Sequence, residues 1–229
     1  MRAALILQHG ESGPPGLLAE WATDRGIPIE VHLSDLGEPH PALDGRPFIA
    51  TLGSRYSPVD RHVPEVAAEL EFVCAAVAAG TPVLGLCYGG QLLATVLGGS
   101  VEHAPQPELG WHRVESTVPD LIAEGPWLQW HYDRFSLPPS AQLLASSPRA
   151  LQAFSHGPHL GVQFHPESTI EIVQGWARSD GARLAAIGVT DGEALPGAGR
   201  HHAAAARTAA FELFDGFWHR ARPPERRNP

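Results

Sequence analysis

The chain has 229 residues, 43% of them hydrophobic and 18% charged, with a formal net charge of −9. That balance supplies the core of one large globular domain, and the lack of a Lys or Arg run argues against nucleic acid, whose phosphates need a concentrated basic surface. The first six residues hold one Arg and a four-residue apolar run, far short of a secretory leader or of the roughly 20 residues that cross a bilayer. A cytoplasmic protein without membrane contact is expected.

Ala3–Leu7 is a short apolar run fit for a buried strand. Leu17–Arg25 follows as a helix, with Gly26 placed to cap its C-terminus. Ile29–Leu33 alternates like a second strand, and Pro47–Leu52 is a third, ending at Gly53. Pro64–Ala79 reads as a long amphipathic helix, with Pro at its start and Gly80 at its end. Pro82–Leu86 makes a fourth strand, and Gln91–Leu97 another helix. Strands alternating with helices of this length predict an α/β fold with a doubly wound, mostly parallel sheet of flavodoxin-like order, flanked by helices.

From residue 101 the pattern changes. Val101–His103, Trp111–Ser116, Gln142–Ser146 and Leu160–Phe164 look like shorter strands without long helices between them, which predicts a small antiparallel portion at one edge. Helices return over Thr169–Ile187 and Ala203–Arg220, around a Gly-rich loop from Gly188 to Gly199. With no internal repeat or composition break, residues 1–222 read as a single domain and 223–229 as a polar, disordered tail.

The two cysteines sit in different settings. Cys74 lies in the helical stretch Glu69–Val77 and is expected to be a buried core thiol. Cys87 lies in Gly85-Leu86-Cys87-Tyr88-Gly89-Gly90-Gln91, where a buried strand ends, a nucleophile type follows, and glycines let the chain reverse into a helix. This is the nucleophile-elbow layout with Cys in place of Ser. The turn pushes the side chain outward, and the helix N-terminus stabilises a thiolate through its dipole and free N–H groups.

A Cys nucleophile needs a base, and Gly161-Val162-Gln163-Phe164-His165-Pro166-Glu167 supplies one after a later strand. In an extended segment, residues two apart share a face, which would put Glu167 beside His165, and Pro166 keeps the preceding residue extended. A carboxylate there sets the imidazole tautomer and stabilises the imidazolium, as the third member of a catalytic triad does.

Together these segments resemble the class I glutamine amidotransferases, whose pattern is Gly-x-Cys-x-Gly-x-Gln followed much later by His-Pro-Glu. The resemblance runs from about residue 45 to 168, and further ordered matches extend it. They include Gly80–Gly85, Leu97–Val101, Glu108–Trp111, Trp130–Phe135, Leu144–Pro148 and Gln152–Phe154. The resemblance implies that Cys87 attacks the glutamine side-chain amide to form a γ-glutamyl thioester, with His165 as acid and base and Glu167 as its orienting group. It places the oxyanion between the backbone N–H of Tyr88 and that of the Gly53 loop. It sets Gln91, Ser54, His131, Tyr132 and Asp133 at the substrate.

Two departures touch recognition. Relatives have Gly-Gly-Pro where this chain has Gly53-Ser54-Arg55, and many have Gly at the position of Tyr132. The resemblance therefore implies hydrolysis of glutamine to glutamate and ammonia. No phosphate loop is present and the chain leaves no room for a fused synthase, so the ammonia acceptor is expected to be a separate protein. One alternative is a γ-glutamyl hydrolase acting on a γ-glutamyl amine or conjugate; another is a non-catalytic binding subunit of the same fold. No cofactor is expected. The His201-His202 pair stands in a polar loop without a second ligand pair, so no metal is expected either.

Overall fold

The computed structural model describes residues 2–189 and 194–221. The expected tail at 223–229 and positions 190–193 of the expected Gly-rich loop lie outside the described residues. An eight-stranded sheet runs in the order β2-β1-β3-β4-β10-β9-β8-β6. Its parallel half comprises β1 (Ala4–Gln8), β2 (Ile29–Leu33), β3 (Ile49–Thr51), β4 (Val83–Leu86) and β10 (His159–Val162). The antiparallel edge is β9 (Leu151–His156), β8 (Gln142–Ser146) and β6 (Glu115–Ser116).

The parallel half is buried on both faces, which is why its strands read as continuous apolar runs. In β1 the side chains alternate between two cores. Ala4 and Ile6 meet Leu18 and Trp21 of α1 (Gly16–Asp24) and Phe214 and Phe217 of α7 (Ala203–Ala221). Leu5 and Leu7 meet Val73 and Ala76 of α2 (Pro64–Ala78) and Leu92 and Leu93 of α3 (Tyr88–Val96). Helices thus cover both faces of the sheet, as the alternating pattern predicts.

The second half holds most of the differences from expectation. Val101–His103 and Trp111–Ser116 are not separate short strands. A twelve-residue β5 (Val101–His112) pairs with β7 (Trp127–Phe135) in a two-stranded sheet of its own, and only β6 joins the main sheet. The β5–β7 register shifts between His103 and Glu108, the stretch that contains Pro105 and Pro107. A bulge there absorbs two residues that cannot donate to a ladder. The expected helix Thr169–Ile187 divides at Asp180 into α4 (Ile170–Ser179) and α5 (Gly181–Ala186). The expected Gly-rich loop contains a short helix, α6 (Ala194–Gly199).

Cys74 is exposed, contrary to the expected core thiol. The buried residues of α2 are Val66, Glu69, Val73 and Ala76, and Cys74 falls outside that stripe. Among the described residues no helix is long and apolar enough to cross a membrane.

Candidate active site

In an open α/β sheet, ligands sit beyond the carboxyl ends of the strands. Here the residues just past five parallel strands line one cavity of about 390 Å³: His9 after β1, Asp35 after β2, Gly53 after β3, Cys87 after β4 and His165 after β10.

Cys87 has φ 53° and ψ −107°, a conformation that L-residues rarely adopt. The surrounding backbone holds it there. Its N–H donates to the Val162 carbonyl at 2.9 Å, and the Gly89 N–H donates to Leu52 at 3.2 Å. A Cβ on Gly89 would lie 2.0 Å from the Thr51 carbonyl oxygen, so the first turn of α3 sits directly on β3. Sulfur is left facing the Trp130 carbonyl at 3.8 Å, with Gln163 Nε2 donating towards it at 3.9 Å.

His165 is buried, and its Nδ1 donates to Glu167 Oε1 at 2.7 Å, leaving Nε2 for Cys87. Its N–H donates to the Leu128 carbonyl, and its ring stands edge-on to Trp176 with centroids 4.7 Å apart. Burial works against the imidazolium. The neighbouring Cys87 and Glu167, as charges and as hydrogen-bond partners, outweigh it and raise the His165 pKa well above its ordinary 6.5. The two residues meet for a different reason than expected. The segment is a turn rather than a strand: β10 ends at Val162, and Ser168 N–H folds back to the His165 carbonyl.

The oxyanion candidates flank Cys87. Tyr88 is the first residue of α3, so its N–H has no partner inside the helix. Gly53 passes so close to His165 that a Cβ would lie 2.7 Å from its Cε1. Ser54 and Tyr132 also line the cavity, whereas Gln91, His131 and Asp133 are not among its lining residues. Gln91 is buried, with Nε2 donating to the Asp133 carbonyl at 3.1 Å, and His131 Nδ1 reaches the same carbonyl at 2.9 Å. These two side chains fasten β7 under the site, and the Asp133 side chain pairs with His103.

Tyr132 donates its hydroxyl to Asp180 Oδ2 at 3.0 Å, and the Arg183 guanidinium lies 3.6 Å from its ring centroid. Trp130 Nε1 donates to the same Asp180 oxygen at 3.2 Å. The α4–α5 corner is thereby pinned over the cavity. Burial and the Asp180 charge raise the Tyr132 pKa above its ordinary 10.0, which keeps it a neutral donor.

Sequence reasoning missed Asp180, Arg183 and Trp176 of this wall, and it missed His9. His9 Nε2 lies 2.6 Å from Glu69 Oε2 and His9 Nδ1 lies 3.0 Å from the Gly53 carbonyl oxygen. Burial disfavours the charged ring, but the Glu69 charge and these hydrogen bonds raise its pKa above 6.5. One signal was available: His9 directly follows a buried parallel strand, the same position relative to β1 that Cys87 has relative to β4. The Asp180 corner left no such trace, because it depends on helices that return to the sheet from far along the chain.

Known proteins match this arrangement. The family model for class-I glutamine amidotransferases matches residues 57–173. The glutamine-hydrolysing GMP synthase of Aeropyrum pernix is 35% identical over 164 residues, covering 66% of this chain and 30% of that protein. The chain therefore spans under a third of that synthase. A glutamine amidotransferase-like protein of Salmonella typhimurium is 31% identical over 201 residues, covering 81% of this chain and 83% of that protein. The crystal structure of a glutamine amidotransferase from Methylobacillus flagellatus matches with a TM-score of 0.85 at 26% identity, covering 100% of this chain and 99% of that one.

Proposed function

The chain belongs to the class I glutamine amidotransferase family, and from that premise we propose that it hydrolyses the glutamine side-chain amide to glutamate and ammonia. The observation that carries the reading is the cavity into which the β4–α3 elbow turns Cys87, with the Glu167-bound His165 lining the same space. Cys87 sulfur attacks the amide carbon, and the carbonyl oxygen takes up negative charge between the Tyr88 N–H and an N–H of the Gly53 loop. The C–N bond breaks as His165 gives a proton to the nitrogen, so ammonia leaves and a γ-glutamyl thioester remains. His165 then takes a proton from water as its oxygen attacks the thioester carbon. The C–S bond breaks, releasing glutamate and restoring the thiol.

An imidazole with a raised pKa suits the first step, because it holds the proton that the leaving nitrogen needs. Glu167 fixes the ring orientation for both steps. Ser54 and Tyr132 contact the substrate from the cavity wall, while Gln91, His131 and Asp133 act through the backbone of β7. The ammonia passes to a separate acceptor enzyme, in keeping with a relative whose full name is a glutamine-hydrolysing synthase.

A second reading keeps the chemistry and changes the leaving group to a larger amine. The cavity, about 390 Å³, favours it, since roughly 300–1,000 Å³ is the range of pockets that hold drug-sized ligands. Glutamate release by the purified protein, compared for glutamine and a panel of γ-glutamyl amides, decides between the two. The glutamine reading expects kcat/KM to be highest for glutamine and to vanish in Cys87→Ala. A preference for a conjugate by more than about tenfold, some 1.4 kcal/mol of transition-state binding, overturns it. No release from any of them, with no labelling of Cys87, would leave the non-catalytic binding subunit.

A further inference from the structure

We propose that His9 is a positioning residue that fixes the Gly53–Ser54 peptide so that the Ser54 N–H is the donor offered to the oxyanion. The inference rests on the proposed reading of the Cys87 site and adds a component to it.

Both ring nitrogens of His9 face acceptors, a carboxylate oxygen of Glu69 at 2.6 Å and the Gly53 carbonyl at 3.0 Å. A neutral imidazole has one donor, so satisfying both partners calls for the imidazolium. Glu69 is equally committed. It lies on the buried stripe of α2, and its second oxygen accepts the Thr51 hydroxyl at 2.6 Å. The Tyr88 ring closes one side of His9, edge-on at 4.9 Å. A buried ion pair is weak evidence of a stabilising role, because desolvation cancels much of the attraction. Here, however, the free side of the pair is spent on one backbone carbonyl at the edge of the catalytic cavity.

The carbonyl matters because the peptide plane is rigid. In a trans peptide the C=O of one residue and the N–H of the next point in opposite directions. Holding the Gly53 oxygen on His9 therefore turns the Ser54 N–H away from His9. Gly53 has no Cβ to resist rotation of this plane, and neither Ser54 nor Arg55 brings the restraint of a proline. Without His9 the loop has two accessible peptide orientations, and only one of them presents this donor. The loop also runs alongside His165, so its orientation and the position of the acid are set together.

The test compares an oxyanion mimic with the ground state. A γ-glutamyl aldehyde forms a tetrahedral adduct on Cys87 and requires the oxyanion donors but no turnover, whereas glutamine binding to Cys87→Ala does not require them. His9→Leu is expected to lower both kcat/KM and aldehyde affinity by about 100-fold, the lower end of the loss when an oxyanion donor is removed. Glutamine binding in the Cys87→Ala background should stay within about threefold. His9→Gln, which keeps one N–H donor, should recover at least tenfold of the loss. If His9→Leu does not fold, Glu69→Gln serves instead and should weaken the aldehyde more than glutamine. Aldehyde affinity unchanged, or falling only in step with glutamine binding, overturns the proposal while leaving the Cys87 assignment intact. A wild type that neither turns over nor binds the aldehyde, with no Cys87 adduct, overturns both.

Discussion

Replacing Gly53 by alanine adds one carbon at a place where nothing nearby can yield. The new methyl would lie 2.7 Å from His165 Cε1, and moving back to an ordinary contact of 3.4 Å requires a displacement of roughly 0.7 Å. His165 cannot supply it without loss, since its Nδ1 is bound to Glu167 at 2.7 Å and Trp176 stands against its ring. The loop cannot supply it freely either, since the Gly53 carbonyl is bound to His9. Gly53 is not in the left-handed region, so alanine meets no backbone strain and the substitution should leave folding stability nearly unchanged. Misplacing a reacting group by about 1 Å can cost about 100-fold in rate, or roughly 2.7 kcal/mol. Gly53→Ala is therefore expected to lose about 100-fold in kcat, with a melting temperature within a few degrees of wild type. Glutamate release and a thermal melt on the same preparation measure both quantities. A variant within about threefold of wild type in kcat would refute the claim that the Gly53–His165 contact is rigid.

Other expectations follow from the same geometry. His165→Ala should lose 1,000-fold or more in glutamate release, because the imidazole serves both halves of the reaction, whereas Glu167→Gln should keep measurable activity; equal losses would give Glu167 more than an orienting role. Cys74→Ser should leave activity intact and shift stability by no more than about 0.5 kcal/mol, and a generic alkylating agent should label exposed Cys74 while a γ-glutamyl-directed electrophile labels Cys87, as peptide mass analysis would reveal. In wild type, NMR titration should find His165 protonated at neutral pH, and Cys87→Ala, which removes a raising contribution, should bring its pKa down. Because the folded pKa lies above the unfolded value of about 6.5, the stability from protonating His165 is complete below pH 6.5 and is lost as pH rises through the folded pKa. The Cys87→Ala variant should therefore lose that contribution at a lower pH than wild type.

The sequence by itself determined the parts of this protein that depend on neighbours in the chain. A buried apolar strand, a Cys, two glycines and a helix make the Cys87 elbow, because the turn needs only local backbone freedom. His165 and Glu167, two residues apart, could be paired from spacing alone, although a turn and not a strand brings them together. The parallel half of the sheet was legible because strands buried on both faces leave continuous apolar runs. Strand β5 was not, because Pro105 and Pro107 argue against a strand locally and only the bulged pairing with β7 accommodates them. The exposure of Cys74 depended on which stripe of α2 the sheet covers, and α2 is apolar on more than one side. Gln91 turned inward to the Asp133 carbonyl, while His9 and Glu69, distant in sequence, met across the sheet–helix interface beside the Gly53 loop. Tertiary packing decided these features because a hydrogen bond between remote residues leaves no periodicity in the chain, and each residue carries only half of the pair.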